Sequence, residues 1–128
     1  MASGDNFDFS FSGIKTAVFN LSKKFSLSYQ DKAEIAYKFQ DAVCEVLVKK
    51  TQRATSKYQS KSIIVGGGVA ANKVLREKML SASKQKVKTY FPPTGLSVDN
   101  GAMIAACAYY LSKKAAPLSL RADPSLYL

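Results

Sequence analysis

The sequence predicts an α/β fold in which helices pack on a short sheet, and three features carry that prediction. First, the β-branched run Ile63-Ile64-Val65 stops at Gly66-Gly67-Gly68 and gives way to Val74, Leu75 and Met79, spaced three or four apart as on one face of a helix. Second, "KVKTYFPP" is a short strand pattern ended by Pro92 and Pro93. Third, the remaining apolar runs have the helical period, and strands alternating with helices indicate helices packed against a sheet.

The elements follow in chain order. In "NFDFSFSG", Phe7, Phe9 and Phe11 alternate with Asp8, Ser10 and Ser12, which places the rings on one side of an extended segment, ready for core packing. Ile14, Val18, Leu21 and Phe25 then predict a first helix over about 13–25. Ser28 with Asp31 forms a capping-box pattern for a second helix. That helix should run to about Tyr58 and bury Ala36, Phe39, Val43, Val46 and Leu47. A buried strand over 62–65, the glycine turn and a third helix to about Ser83 come next. A fourth helix starts near Asp99, where an N-cap role suits the aspartate, and closes on Lys113 and Lys114, cations that suit a helix C-terminus. Residues 1–115 therefore read as one folded piece and 116–128, with two prolines and no period, as an irregular tail. Only two internal strands are predicted, fewer than such a sheet normally has, so the piece reads as part of a lobe whose other strands lie elsewhere.

Composition narrows the function classes. At 128 residues and 47% apolar, the chain can bury one core and is not of disordered type. No apolar run approaches the roughly 18 residues of a membrane span. Nothing in "MASGDNFDF" resembles a signal peptide, so a soluble, cytoplasmic protein is expected. Cys44 and Cys107 each sit in an apolar helical pattern and read as buried small hydrophobes rather than a disulfide pair. There is no histidine, which removes the usual general base and the commonest metal ligand. The net charge is +10, and between Val46 and Val98 eleven lysines and arginines face a single acid, Glu77. That imbalance suits a polyanion such as RNA, or equally a set of solvated helix faces.

Three motifs could carry chemistry, the last being "FSFSGIKTA", where Lys15 and Thr16 follow the Ser12-Gly13 turn and the three phenylalanines suit core packing ahead of nucleobase stacking. "GGGVAAN" lacks the Gly-Lys-Ser/Thr ending of a Walker loop and the GxGxxG spacing of a dinucleotide fingerprint. It offers close backbone approach beside a helix N-terminus, which suits a phosphate, with Asn72 in reach of a nucleotide; a plain turn with Asn72 starting the helix fits the same residues. In "SVDNGAMIA", Asp99 could supply one metal ligand at most, because no histidine and no clustered cysteine accompanies it.

Taken together, "FDFSFSGIKTAV", "IIVGGGVAANKVLREKM" and "FPPTGLSVDNGAMIAACAYYL" resemble three successive signatures of the tRNA adenosine threonylcarbamoyltransferase family (TsaD), formerly called O-sialoglycoprotein endopeptidase or glycoprotease. The resemblance runs from about Asn6 to Ala115 and covers only the C-terminal portion of the family pattern. It implies part of an actin-like, ribonuclease-H-like ATPase fold. It also implies transfer of a threonylcarbamoyl group from threonylcarbamoyl-AMP to the adenosine next to the anticodon in tRNAs reading codons that start with adenine. By motif, Asp99 would be a ligand of one iron or zinc ion, Asn72 would contact the adenine nucleotide, and Gly67 and Gly68 would line its phosphate side. The implied partners are tRNA, the adenine nucleotide, the N-terminal half of the enzyme and accessory proteins of the transfer complex. Gly66 stands where many members carry alanine, and Val98 where many carry threonine. The family's histidine pair lies in the portion outside this sequence, so the chain alone is expected to be metal-free and inactive. The older metalloprotease label, or a non-catalytic module for nucleotide, RNA or protein, are the alternative functions.

Overall fold

The computed structural model describes residues 6–83 and 87–111. These form two compact units, one reaching Val98 and one beginning at Asp99. The expected irregular tail, 116–128, and the lysines expected to close the last helix lie outside the described residues.

In the first unit, α1 spans Ser12–Lys24 and α2 spans Tyr29–Lys57. Strand β1, Ser62–Ile64, leads through a 3₁₀ turn, Gly68–Ala71, into α3, Lys73–Ala82. Strand β2, Lys88–Tyr90, and a second 3₁₀ turn, Thr94–Leu96, complete the unit. β1 and β2 pair in parallel, with Ser62 opposite Lys88, Ile63 opposite Thr89 and Ile64 opposite Tyr90. Parallel pairing requires a crossover, and α3 supplies it. The α/β class is therefore observed, mostly helical and with two short strands among the described residues.

Helix α2 begins where the capping box predicts. Asp31 N–H donates to Ser28 Oγ (3.1 Å), while the Asp31 carboxylate accepts from the Ser28 N–H (2.9 Å) and hydroxyl (2.7 Å). The hydroxyl bond first, then the backbone bond, holds the Asp31 carboxyl below its ordinary value of 3.8. A lowered folded-state value means that the box contributes its full stability above 3.8, and loses it as pH falls through the lowered value. Acidification is accordingly expected to fray the first turn of α2, seen as faster amide exchange at Asp31 and Lys32, and Asp31→Asn should abolish this acid step.

The core is small and lies between α2 and α3. Cys44, Val48, Leu75 and Met79 are buried, with Leu47, Val74, Ala82 and Phe91 packed around them. Val74, Leu75 and Met79 thus occupy the helix face that their spacing predicts. On α2 the buried stripe is rotated from the expected one. Cys44 and Val48, one turn apart, are buried, whereas Phe39, Val43 and Val46 are half-covered and Ala36 is exposed. The reason is that α3 is the packed partner of this face, and it meets α2 along the Cys44–Val48 row. Polar links reinforce the seam: Lys78 pairs with Asp41 (2.6 Å), and Gln52 Nε2 donates to the Ala82 carbonyl (2.5 Å).

Three further expectations are corrected. β1 is not buried, since Ile63 is half-covered and Ile64 is 82% exposed, and the described sheet has two strands to cover one another. The phenylalanines do not form a core. Phe9 and Phe11 do share a side, stacked at 6.3 Å, but Phe9 is exposed, and Phe7 instead meets Tyr58 at 5.7 Å. This extended segment is held by Lys50, whose buried ammonium donates to the Asp8 carbonyl (2.5 Å). Finally, Cys44 is buried as expected but Cys107 is exposed.

The second unit contains α4, Gly101–Leu111, which is apolar around its whole circumference. Its cap is Asn100, whose Oδ1 accepts from Met103 N–H (2.9 Å). Asp99 stands one residue earlier and is not the cap. Among the described residues no helix is long and apolar enough to cross a membrane.

Candidate nucleotide site at the glycine turn

Because β1 and β2 run parallel, the loops that follow them leave the sheet at the same edge. In open parallel sheets this carboxyl edge is where ligands bind. The first loop holds Gly66 to Asn72 and the second holds Phe91 to Val98, and their 3₁₀ turns touch.

Gly67 gives the first loop its shape. Its φ of 82° lies in the region that side chains with a Cβ rarely adopt, so glycine is required there by conformation. Its carbonyl accepts from Ala70 N–H (2.9 Å), which winds the 3₁₀ turn and buries Ala70 completely. Gly68 has a different constraint. A Cβ on it would lie 3.8 Å from Val98 Cγ1, an ordinary contact, so Gly68 sits against the second loop without being sterically obliged to be glycine. Both glycines are exposed, leaving their backbone open to a ligand.

Asn72 starts α3. Its Oδ1 accepts from Leu75 N–H (3.1 Å) and its Nδ2 donates to Gln40 Oε1 (3.0 Å), so one amide both caps α3 and ties it to α2. One amide hydrogen and one lone pair remain for a ligand. The glycines were expected to adjoin a helix N-terminus directly; instead the four-residue 3₁₀ turn stands between, and Asn72 occupies one of the helix's free N–H groups itself.

Gly67, Gly68 and Asn72 therefore share one turn. Asp99 opens the second unit, with its carboxylate exposed. Among the described residues no three His, Cys, Asp or Glu side chains come together. Nor does Cys44 offer a nucleophile, because burial, the dominant influence, pushes its thiol upward in spite of nearby Lys78.

The structure also gathers features not singled out individually in the sequence. Lys49, Arg53, Lys57 and Lys61 line a cavity of about 850 Å³ together with Phe7, and no acid is among its described lining residues. Arg53 and Lys57 lie 5.8 and 5.2 Å from the Phe7 ring centroid. The four-residue spacing of Lys49, Arg53 and Lys57 was the available signal, since it stacks them on one face of a helix. Arg76 was likewise missed, although its guanidinium hydrogen-bonds both loops, at Ala70 in the first and at Pro92 in the second.

A strand, a glycine turn, a helix and a second parallel strand define an α/β domain with a candidate ligand edge. The model of one such family, tRNA N6-adenosine threonylcarbamoyltransferase, matches residues 1–106, and the chain belongs to that family. Among relatives bearing that name, the protein of Moorella thermoacetica is 47% identical over 129 residues, covering 97% of this chain and 38% of the relative. That of Lactobacillus delbrueckii subsp. bulgaricus is also 47% identical, covering all of this chain and 39% of the relative. The Francisella philomiragia protein is 46% identical over 86% of this chain and 33% of its own length. The chain thus spans less than two fifths of the relatives it matches.

Proposed function

We propose that this chain is the part of a tRNA-modifying transferase that holds the adenylate end of threonylcarbamoyl-AMP at the glycine turn, within an actin-like, ribonuclease-H-like fold completed by the remainder of the enzyme. The observation that carries this reading is the match to relatives named as the transferase over nearly the whole chain, glycine turn included. In the reaction, the adenine N6 amine of tRNA attacks the carbamoyl carbonyl carbon. The bond from that carbon to the phosphate oxygen breaks, AMP leaves with the electron pair, and N6 gives up a proton. The role assigned to Gly67 and Gly68 is to let backbone N–H groups approach the departing phosphate, where preorganised donors act on developing charge. Asn72 contacts the nucleotide with the donor and acceptor sites that its structural bonds leave over. Asp99 is the one carboxylate this chain contributes to an iron or zinc site whose other ligands come from elsewhere in the enzyme. The basic wall of Lys49, Arg53, Lys57 and Lys61 is the candidate surface for tRNA phosphates, which supply affinity rather than sequence reading. Cytoplasmic location and accessory proteins of the transfer complex belong to the same proposal.

The test is a comparison of three proteins supplied with donor and tRNA: the full-length enzyme, its Asn72→Ala variant, and these 128 residues alone. The full-length enzyme should form threonylcarbamoyladenosine, the isolated chain should form none, and Asn72→Ala should bind AMP more weakly. Unchanged AMP affinity in the variant would return Asn72 to a purely structural cap. Product from the isolated chain would overturn the assignment of essential groups to the rest of the enzyme.

A further inference from the structure

We infer that Arg76 is a positioning residue that locks the two loops of the candidate nucleotide site into one body. Three contacts converge on its guanidinium. Nε donates to the carbonyl of Ala70 (2.6 Å), inside the glycine-turn loop and two residues past Gly68. Nη2 donates to the carbonyl of Pro92 (2.5 Å), in the second loop, and reaches the hydroxyl of Ser97 at 3.4 Å. The planar group also lies 4.8 Å from the centroid of the Phe91 ring, where the second loop leaves β2.

The chemistry requires arginine. A guanidinium presents donors in a fixed fork, so the two carbonyls it joins are held at a set separation; a lysine ammonium is a single point on a flexible stem. Each loop also needs an external donor. Ala70 is fully buried and Ser97 is 4% exposed, so groups here have little water to turn to. Neither Pro92 nor Pro93 has an N–H, so this stretch cannot build a backbone ladder of its own. Arg76 lies on α3 one turn after Asn72, and its own N–H donates to the Asn72 carbonyl (3.1 Å). The helix start thus fixes Asn72, Ala70, Pro92 and Ser97 against one another. Ser97 is two residues before Asp99, so the chain leaves this clamp directly into the aspartate assigned above as a ligand.

This inference rests on the proposed function, because a clamp matters to catalysis only if the loops hold the donor. The variants are Arg76→Lys and Arg76→Met in the full-length enzyme. Lysine keeps the stem and the charge over Phe91 but loses the fork, so it remains informative if the methionine variant does not fold. The readouts are kcat and KM for threonylcarbamoyl-AMP and for tRNA, AMP affinity, and amide exchange over 66–72 and 94–98. A displacement of about 1 Å in a reactant-holding loop lowers rate by roughly 100-fold. A loss of that order in kcat/KM for the donor is expected, with KM for tRNA unchanged and faster exchange confined to the two loops. Equal losses for donor and tRNA, with exchange raised across α2 and α3, would mean a general structural role and overturn the inference. If wild-type enzyme binds AMP and Arg76→Lys behaves identically, this inference alone falls. If wild-type enzyme binds no AMP, the proposed function falls and takes this inference with it.

Discussion

Replacing Leu75 by alanine is expected to cost about 2–5 kcal/mol of folding stability, the range for deleting a leucine from a packed interior. Leu75 is 2% exposed and, among the described residues, belongs to a buried cluster of four side chains with four half-buried ones packed around it. Cys44, Val48 and Met79 would line the space left, and how far they and their half-buried neighbours close it sets where in that range the cost falls. The total stability of an ordinary domain is about 5–15 kcal/mol, so this loss is a large share of it. In urea unfolding of the full-length protein the midpoint should fall at unchanged slope. Leu80→Ala on the same helix is the control. Leu80 is 55% exposed in this chain and lies outside the buried cluster, so its change should cost clearly less than that of Leu75. A Leu75→Ala protein as stable as Leu80→Ala would show that α2 and α3 do not form the core.

On the metal-ligand role proposed for Asp99, Asp99→Ala should lower the metal content of the full-length enzyme, and its activity, while leaving the fold intact. The separation of the two effects comes from the geometry at the start of α4. Asn100 accepts the Met103 N–H and is the cap, so losing the Asp99 carboxylate removes no helix-start bond. Its stability change should remain within about 0.5 kcal/mol, whereas Asn100→Ala should cost about 1 kcal/mol and keep the metal. Elemental analysis beside thermal unfolding reads both quantities. An Asp99→Ala enzyme that retains stoichiometric metal would remove Asp99 from the ligand set.

The parts of the fold written in local chemistry were legible in the sequence. Ser28 and Asp31 specify a capping box through atoms three residues apart, and α2 begins there. Val74, Leu75 and Met79 fix the buried face of α3 through spacing alone, and Pro92 with Pro93 ends β2 for want of backbone donors. What required the structure was information held between elements. Which stripe of α2 is buried depends on where α3 lies, and periodicity alone placed it about one residue away. Asp99 and Asn100 are adjacent and both are good cap residues, so only the direction of one side chain decides between them. Of the candidate site, Gly67, Gly68 and Asn72 were identified as a group from one motif. Arg76 was not, because its partners at Ala70, Pro92 and Ser97 are up to 21 residues away and are mostly backbone carbonyls, which leave no mark on the sequence.

The pair of three-residue strands has a practical consequence. A two-stranded ribbon is close to the smallest sheet that persists in water, and its outer edges expose backbone donors and acceptors in the geometry that another chain can match. On β1 that edge carries Ile64, 82% exposed, beside a chain with a net charge of +10. Mutual repulsion keeps copies apart in dilute buffer, but its range shrinks to about 10 Å at 0.1 M salt. Purified by itself, the polypeptide should therefore behave as a salt-sensitive colloid. It should stay dispersed at low ionic strength and associate edge to edge as counterions accumulate, so the choice of buffer governs whether particles or monomers are studied.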